Sequence, residues 1–291
     1  MGDKKKILIQ LDGDPHPSVF DRVVAVDAGA DCVFSYGGVK PDGVRDLVYG
    51  AIFTRGPEDL KSTAIFIGGS DVTLGESLLG AVRKSFLGPL RVSVLLDGAG
   101  ANTTAAAAVI VAGRSAPLRG KRALVLGSSG PVGRRVATLL ARQGAHVLVG
   151  SRSAERAAEV AATVRTAITG SDVHPVATGV AEDLLQALQG IQVVIAAGGP
   201  GVCLLPRDAR VKARSLEVAI DLNAVPPEGI EGVKGGDFAK ERDGVTAYGA
   251  IGVGGLKMKI HKAAVRQLFE ANDQVLDLEA VFDLGSRLAP A

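Results

Sequence analysis

The residues best placed to do chemistry are the glycines at 127, 130 and 133. They sit between an apolar run, Ala123 to Leu126, and a helix-period segment carrying Val132, Val136, Leu139 and Leu140. Gly144 and a second apolar run, Val147 to Val149, follow. Strand, tight turn, helix and strand in this order form the context a dinucleotide-binding unit requires. Glycine lets the backbone turn sharply and come close to a pyrophosphate, whose charge is met by the free N–H groups at a helix start. Gly127, Ser129, Gly130, Pro131, Val132 and Gly133 are therefore candidate cofactor-binding residues. The loop departs from the usual G-x-G-x-x-G: Ser128 stands where its first glycine would, and Gly127 lies one place earlier. A purely structural Gly-rich turn is the competing reading, and the flanking strands and helix favour the dinucleotide.

The end of the second strand bears on which dinucleotide. An NAD site usually places a carboxylate there to hold the ribose 2′-OH. Here the strand ends at Ser151-Arg152, and no carboxylate occurs before Glu155. A hydroxyl and a guanidinium suit a 2′-phosphate, because Arg makes paired, charge-assisted bonds to phosphate oxygens. Arg156, one helical turn on, can share that phosphate. Ser151, Arg152 and Arg156 thus point to NADP, against the plainer reading of solvated helix-start residues.

These residues must be positioned by a chain of 291 residues, 47% hydrophobic, 4% aromatic and without Trp. Such a composition suits parallel sheets covered by helices, in an α/β protein of two domains. A net charge of +2 implies no attraction to nucleic acid or to a membrane surface, and Lys4 to Lys6 read as a solvated tail. Two distant cysteines, Cys32 and Cys203, form no disulfide framework and no metal-ligand spacing. With no signal-peptide pattern and no apolar run long enough to span a bilayer, a cytoplasmic protein is expected.

Strands are expected at Lys6–Leu11, Val33–Tyr36, Lys61–Gly69 and Leu90–Leu96, with helices from Ser18, over Val39–Ala51 and over Thr73–Phe86. The loops 12–17, 68–71 and 97–104 then share one edge, carrying Asp14, Ser18, Asp21 and Asp97. Asn102-Thr103-Thr104 opens an alanine-rich helix, 105–112, with Asn or Thr as its cap. Pro117 to Gly120 bridges to the next domain, giving an N-terminal domain of 1–112 and a dinucleotide domain of 113–256. Beyond the glycine loop come a helix over 154–168, a short strand over 173–177, a helix over 181–188, and strands over 192–197 and 216–222. Strand ends of a doubly wound sheet face its ligand, which makes Gly198, Gly199 and Asn223 candidates for the ribose and nicotinamide. The stretch Thr246 to Gly255 returns to the sheet and adds Ile251 to the cofactor set. A basic helix, 256–270, with Lys257, Lys259, His261 and Lys262, and a last helix over 277–288 are expected to fold back on the N-terminal domain.

There is no phosphate-binding Walker loop, zinc spacing, G-x-S-x-G elbow or recognisable Cys–His pair. His16, His146, His174 and His261 are scattered; His146 starts a strand and reads as structural, whereas His16 and His261 lie nearer the cleft edges. Oxidising a hydroxyl needs a general base for its proton, whereas a reaction that moves only a hydride does not.

The stretches PSVFD (17–21), YGGVKPDGV (36–44), TRG (54–56), KSTAIFIGG (61–69), GANTTAAAA (100–108), GSSGPVGRR (127–135) and GAIGVGGLKMKIH (249–261) make the chain resemble the methylene-tetrahydromethanopterin dehydrogenases of methylotrophic bacteria over essentially its full length. The resemblance implies an N-terminal pterin-binding α/β domain, a C-terminal Rossmann-type NADP domain, an interdomain active site and a homo-oligomer, with a trimer suspected. It implies oxidation of methylene-tetrahydromethanopterin to the methenyl form by direct hydride transfer to NADP, in one-carbon (formaldehyde) metabolism. On that reading Lys257 and Asp97 are the catalytic candidates, and Asp14, Ser18, Asp21, Asn102, Thr103 and Lys257 bind the pterin. No metal is expected. Tetrahydrofolate as the carrier, a shikimate- or quinate-type oxidoreductase, and a non-enzymatic NADP sensor remain the alternatives.

Overall fold

A computed structural model describes residues 4–288. In chain order its elements are β1 (Ile7–Leu11), α1 (Val19–Asp27), β2 (Cys32–Tyr36), α2 (Val44–Phe53), β3 (Thr63–Ile67), α3 (Val72–Ser85), β4 (Ser93–Leu96) and α4 (Ala101–Ser115). Next come β5 (Arg122–Leu126), α5 (Pro131–Arg142), β6 (His146–Ser151), α6 (Ala154–Ala167), β7 (Val173–Ala177), α7 (Ala181–Ala187), β8 (Val193–Ala196), α8 (Arg207–Lys212) and β9 (Val218–Asp221). The chain closes with β10 (Lys240–Arg242), β11 (Val245–Tyr248), α9 (Ala250–Gln267), β12 (Val275–Leu276) and α10 (Leu278–Leu288).

The chain divides into two α/β units, one of residues 4–103 and 258–288, the other of 104–257. The division falls inside α4 and α9, earlier than the expected boundary at 112–120. In the first unit the sheet order is β12-β4-β3-β1-β2, parallel throughout. Central β3 is buried at every position, as a strand covered on both faces must be. One face packs Ile9, Leu11, Ile65, Ile67, Val94 and Leu96 against Val48 and Ile52 of α2 and Leu78 and Val82 of α3. Because β1 lies between β2 and β3, the chain reverses its direction of winding at β1. In such sheets the crevice outside the strand C-termini at that switch is where ligands bind.

The second unit has the order β10-β11-β9-β8-β5-β6-β7, with only the β10–β11 pair antiparallel. Read from β7 to β11, the parallel strands follow the 3-2-1-4-5-6 order of dinucleotide-binding folds, with the switch between β5 and β8. Edge strand β10 had no sequence counterpart, since LysGluArg has none of the β-branched or aromatic residues that mark strands.

The starts of α2 and α9 differ from those expected. Helix α2 begins only at Val44, because Pro41, Asp42 and Gly43 form the turn before it. Of the stretch 246–255, Thr246 to Tyr248 return to the sheet in β11, whereas helix α9 begins already at Ala250. Two glycines here answer to close packing: a Cβ on Gly249 would run into the Lys234 carbonyl oxygen, and one on Gly252 into that of Asp237.

The β10–β11 hairpin is tied to α8 by charge. Asp243 accepts from Arg207 Nη2 at 2.7 Å and from the fully buried Arg210 at 2.6 Å, while Arg242 pairs with Asp237 at 2.6 Å. The Arg207 guanidinium first, then that of Arg210, holds the Asp243 carboxyl well below the usual carboxylate range, and Arg242 lowers that of Asp237. A carboxyl lowered in this way contributes stability that is present above its unfolded pKa of about 4 and is lost as pH falls through the folded value. Thermal unfolding between pH 7 and pH 3 is expected to show a steeper loss of Tm for the native chain than for Asp243→Asn. Parallel profiles would contradict this account.

Candidate functional site

At the C-terminal end of β5 the chain turns at Gly127, whose φ is 70°. A Cβ here would also stand 2.8 Å from the Cα of Gly198 after β8, so the position excludes any side chain on two counts. Ser128 takes up the departure from the usual spacing. Its N–H and its hydroxyl donate to the Gly150 carbonyl at 3.1 and 3.0 Å, tying the turn to the end of β6, and the side chain is fully buried. Gly133 in the first turn of α5 lies against the same loop, because a Cβ there would meet the Gly127 carbonyl oxygen at 2.5 Å. Gly130 caps α5 and Pro131 opens it, leaving first-turn N–H groups without helical acceptors.

A cavity of about 450 Å³ opens beside this loop. Gly127, Ser129, Gly130, Ser151, Arg152, Arg156, Gly198 and Gly199 line it, so eight of the expected cofactor residues meet around one space. Pro131, Val132 and Gly133 lie behind the wall as the start of α5 and do not line it. Asn223 does not reach it either. Its side chain donates to Pro227 O at 2.8 Å and accepts from Val225 N–H at 3.0 Å, holding the loop after β9. Ile251 stands 72% exposed on the first turn of α9, away from the lining.

The lining includes five residues not anticipated: Ser153, Thr178, Ala197, Val202 and Leu204. Ser153 was legible as a helix cap; its hydroxyl accepts from Arg156 N–H at 3.3 Å and donates to Glu155 at 2.6 Å. Thr178 was legible only once β7 was known to pair with β6. Two guanidiniums and no carboxylate face the space, since Glu155 is not among the lining residues. Such a wall attracts a polyanion.

In the first unit the C-terminal ends of β1 and β3 meet through carboxylates. Asp14 accepts from Ser70 N–H at 2.9 Å and from its hydroxyl at 2.8 Å, joining the loops after β1 and β3. Buried Asp12 accepts from Asp14 N–H at 2.9 Å and Ser18 N–H at 3.2 Å, and Ser18 in turn caps α1 by accepting from Asp21 N–H at 3.2 Å. Phe66 and the carboxylates of Asp12 and Asp21 all lie within 3.6 Å of the space a side chain on Gly68 would fill. Asp14, Ser18 and Asp21 are thus brought together at the sheet's switch point.

The strand end of β4 is arranged differently from expectation. Helix α4 starts at Ala101, so Asn102 and Thr103 lie inside its first turn and neither is the cap. That role falls to Asp97. One carboxylate oxygen accepts from the N–H groups of Asn102 and Thr103 at 2.9 and 3.1 Å, the other from the Thr103 hydroxyl at 2.7 Å. Asn102 Nδ2 donates to Leu96 O at 2.7 Å. All three residues are buried, so the expectation of an Asp97 carboxylate facing a substrate is not met. Lys257 lies in the interior of α9 rather than at its start, one turn before His261 on the same helical face. His261 is not at an edge; it is fully buried, 4.0 Å from Asp97. His146 and His174 both bind Asp172, at the sheet edge opposite the cavity.

A family model described as methylene-tetrahydromethanopterin dehydrogenase, N-terminal, matches residues 19–99, and a short chain dehydrogenase model matches 121–200. The bifunctional protein MdtA of Methylorubrum extorquens is 44% identical over 289 residues, covering 98% of this chain and 99% of the relative. The NAD(P)-dependent methylenetetrahydromethanopterin dehydrogenase of the same organism is 34% identical over 295 residues, covering 98% and 99%. The chain belongs to the methylene-tetrahydromethanopterin dehydrogenase family. It is thereby an oxidoreductase. The shikimate 5-dehydrogenase of Listeria monocytogenes has the same fold, with a TM-score of 0.56 at 13% identity and 96% of each chain covered. Among the described residues no group of His, Cys, Asp and Glu is placed to hold a metal, and no helix is long and apolar enough to cross a membrane.

If the glycine loop must touch its neighbours to form the cavity, Gly133→Ala is expected to weaken dinucleotide binding at least tenfold by calorimetry. Binding at the native affinity would show that the loop tolerates displacement.

Proposed function

We propose that the protein oxidises methylene-tetrahydromethanopterin to its methenyl form with NADP as hydride acceptor. The observation that carries this is the cavity wall of Ser151, Arg152, Ser153, Arg156 and Thr178, free of carboxylate, within a chain of this family. The residues fit the cofactor: the Gly127–Gly133 loop and the α5 start suit a pyrophosphate, and the two guanidiniums suit a 2′-phosphate. When bound, the nicotinamide supplies the hydride acceptor. The substrate supplies the driving force, because the two nitrogens flanking its methylene carbon stabilise the cation left when hydride departs. This chain's own part is to bind, orient and provide a suitable field. Asp14 and Asp21 at the first unit's switch point would hold the donor edge of the pterin, with Ser18 fixing the helix beside them. Lys257 is the side chain we assign to the reacting region, while Asp97, through α4, positions Asn102 and Thr103 rather than touching substrate.

The protein is further proposed to act in formaldehyde oxidation, in the cytoplasm, and as a homo-oligomer. Supporting the last is the open edge of β2, beside which Phe34 and Tyr36 stand 48% and 42% exposed.

Turnover of methylene-tetrahydromethanopterin with NADP⁺ and NAD⁺, and of methylene-tetrahydrofolate beside it, tests the reading. Faster oxidation with NADP⁺ on the methanopterin carrier is expected. Arg152→Ala should raise KM for NADP⁺ by roughly ten- to a hundredfold, the worth of a charged hydrogen bond, and leave KM for NAD⁺ nearly unchanged. Equal loss with both cofactors would remove the 2′-phosphate role, and tight NADP binding without any turnover would favour the sensor.

A further inference from the structure

Three rings in the first unit, Phe20, Phe66 and His261, are in contact and take no part in the proposed hydride transfer. His261 is fully buried and lies nearly parallel to Phe66, with centroids 5.8 Å apart and planes at 15°. The Phe20 ring also meets His261, with centroids 6.3 Å apart and planes tilted at 46°. These contacts lead from the buried β3 to the surface, where Phe20 is 51% exposed.

Its place follows from the helix. Helix α1 turns Val24, Ala25 and Ala28 inward, and Val19, Val23 and Val26 outward. Phe20 occupies the flank between, the same flank as Asp27, which pairs with Lys262 of α9 at 2.9 Å. The ring therefore sits over α9 at His261, at the end of the sheet where the strands finish. Its neighbour in sequence, Asp21, directs its carboxylate to the space before Gly68.

We infer that Phe20 is the platform on which the pterin ring of the substrate stacks, with His261 and Phe66 as the backing that holds it in place. The inference rests on the pterin-dehydrogenase reading above and adds a residue that reading does not contain. A pterin is flat and aromatic on its faces and carries hydrogen-bond donors on one edge. An exposed ring fixed from behind offers a flat partner at little entropic cost, and the adjacent carboxylate meets the donor edge. Neither alone recognises the molecule; together they match both of its surfaces. Lys257, one turn before His261 on the same face of α9, lies on the helix that backs the platform. The outward stripe of Val19, Val23 and Val26 points elsewhere and is not part of the platform.

The test is steady-state kinetics of Phe20→Leu and Phe20→Tyr on the full chain, beside calorimetric binding of tetrahydromethanopterin. Leu still covers His261, so a role confined to shielding the histidine leaves pterin binding unchanged. The platform predicts that Phe20→Leu raises Kd for tetrahydromethanopterin and KM for its methylene form about two- to tenfold, the range for loss of one ring contact. KM for NADP⁺ should stay at the native value, and Phe20→Tyr should fall within twofold of native for both. Native pterin affinity in Phe20→Leu, in a protein that turns over normally, overturns the platform and leaves the dehydrogenase intact. A change in sedimentation with no change in pterin binding would make Phe20 a contact between copies instead. Failure of the native protein to bind or oxidise either methylene-pterin overturns the functional reading, and the platform with it.

Discussion

The second unit depends on backbone contact where side chains are forbidden. Gly127 lies so close to Gly198 that a methyl group on it would stand 2.8 Å from the Gly198 backbone, and Gly133 lies as tightly against the same turn. That contact sets how the start of α5 packs on the turn, with Gly130 at the cavity wall. Ser128 shows that this constraint is geometric rather than a matter of a fixed motif. A serine is accepted at a position usually held by glycine because its side chain folds inward and donates to the strand beside it. The arginines are placed by the same strand, since β6 ends at Ser151 and α6 begins three residues later.

In the first unit the corresponding role falls to carboxylates. Asp12 and Asp97 follow strands directly, are buried, and spend their oxygens on backbone N–H groups of the next segments. Burying a carboxylate is costly unless such donors surround it. Here the donors are the starts of loops and helices, so the charge fixes where α1 and α4 begin. Asp14 and Asp21, less buried and one or two steps further out, are left at the mouth of the crevice. Whether a carboxylate is buried in the scaffold or left at the surface is therefore set by depth along each loop, and the residue type alone does not reveal it.

This explains what could be read from the sequence. The alternation of apolar runs and helical periods located nearly every parallel strand, and the glycines marked the dinucleotide loop, because both signals are local. Eight of thirteen expected cofactor residues line one cavity for the same reason. The burial of Asp97 and Asn102 was not legible, because it depends on neighbours distant in sequence, and an Asp five residues before Asn-Thr-Thr looks alike whether it holds a helix start or faces solvent. The glycines of 249–255 look like a loop in sequence, although close packing against 234–238 is what requires Gly249 and Gly252. Thr178 and Phe20 carried no local signal; the first needed the pairing of β7 with β6, the second the position of α9 against α1.

In the proposed reaction the methylene carbon gives up a hydride directly, with no proton-transfer group at work. Oxidation of methylene-tetrahydromethanopterin doubly deuterated at the methylene carbon tests this most directly, with the reduced cofactor analysed by NMR. The account predicts one deuterium at nicotinamide C4 for each molecule oxidised, and none released to water. Deuterium appearing in the solvent, with unlabelled reduced cofactor, would contradict it.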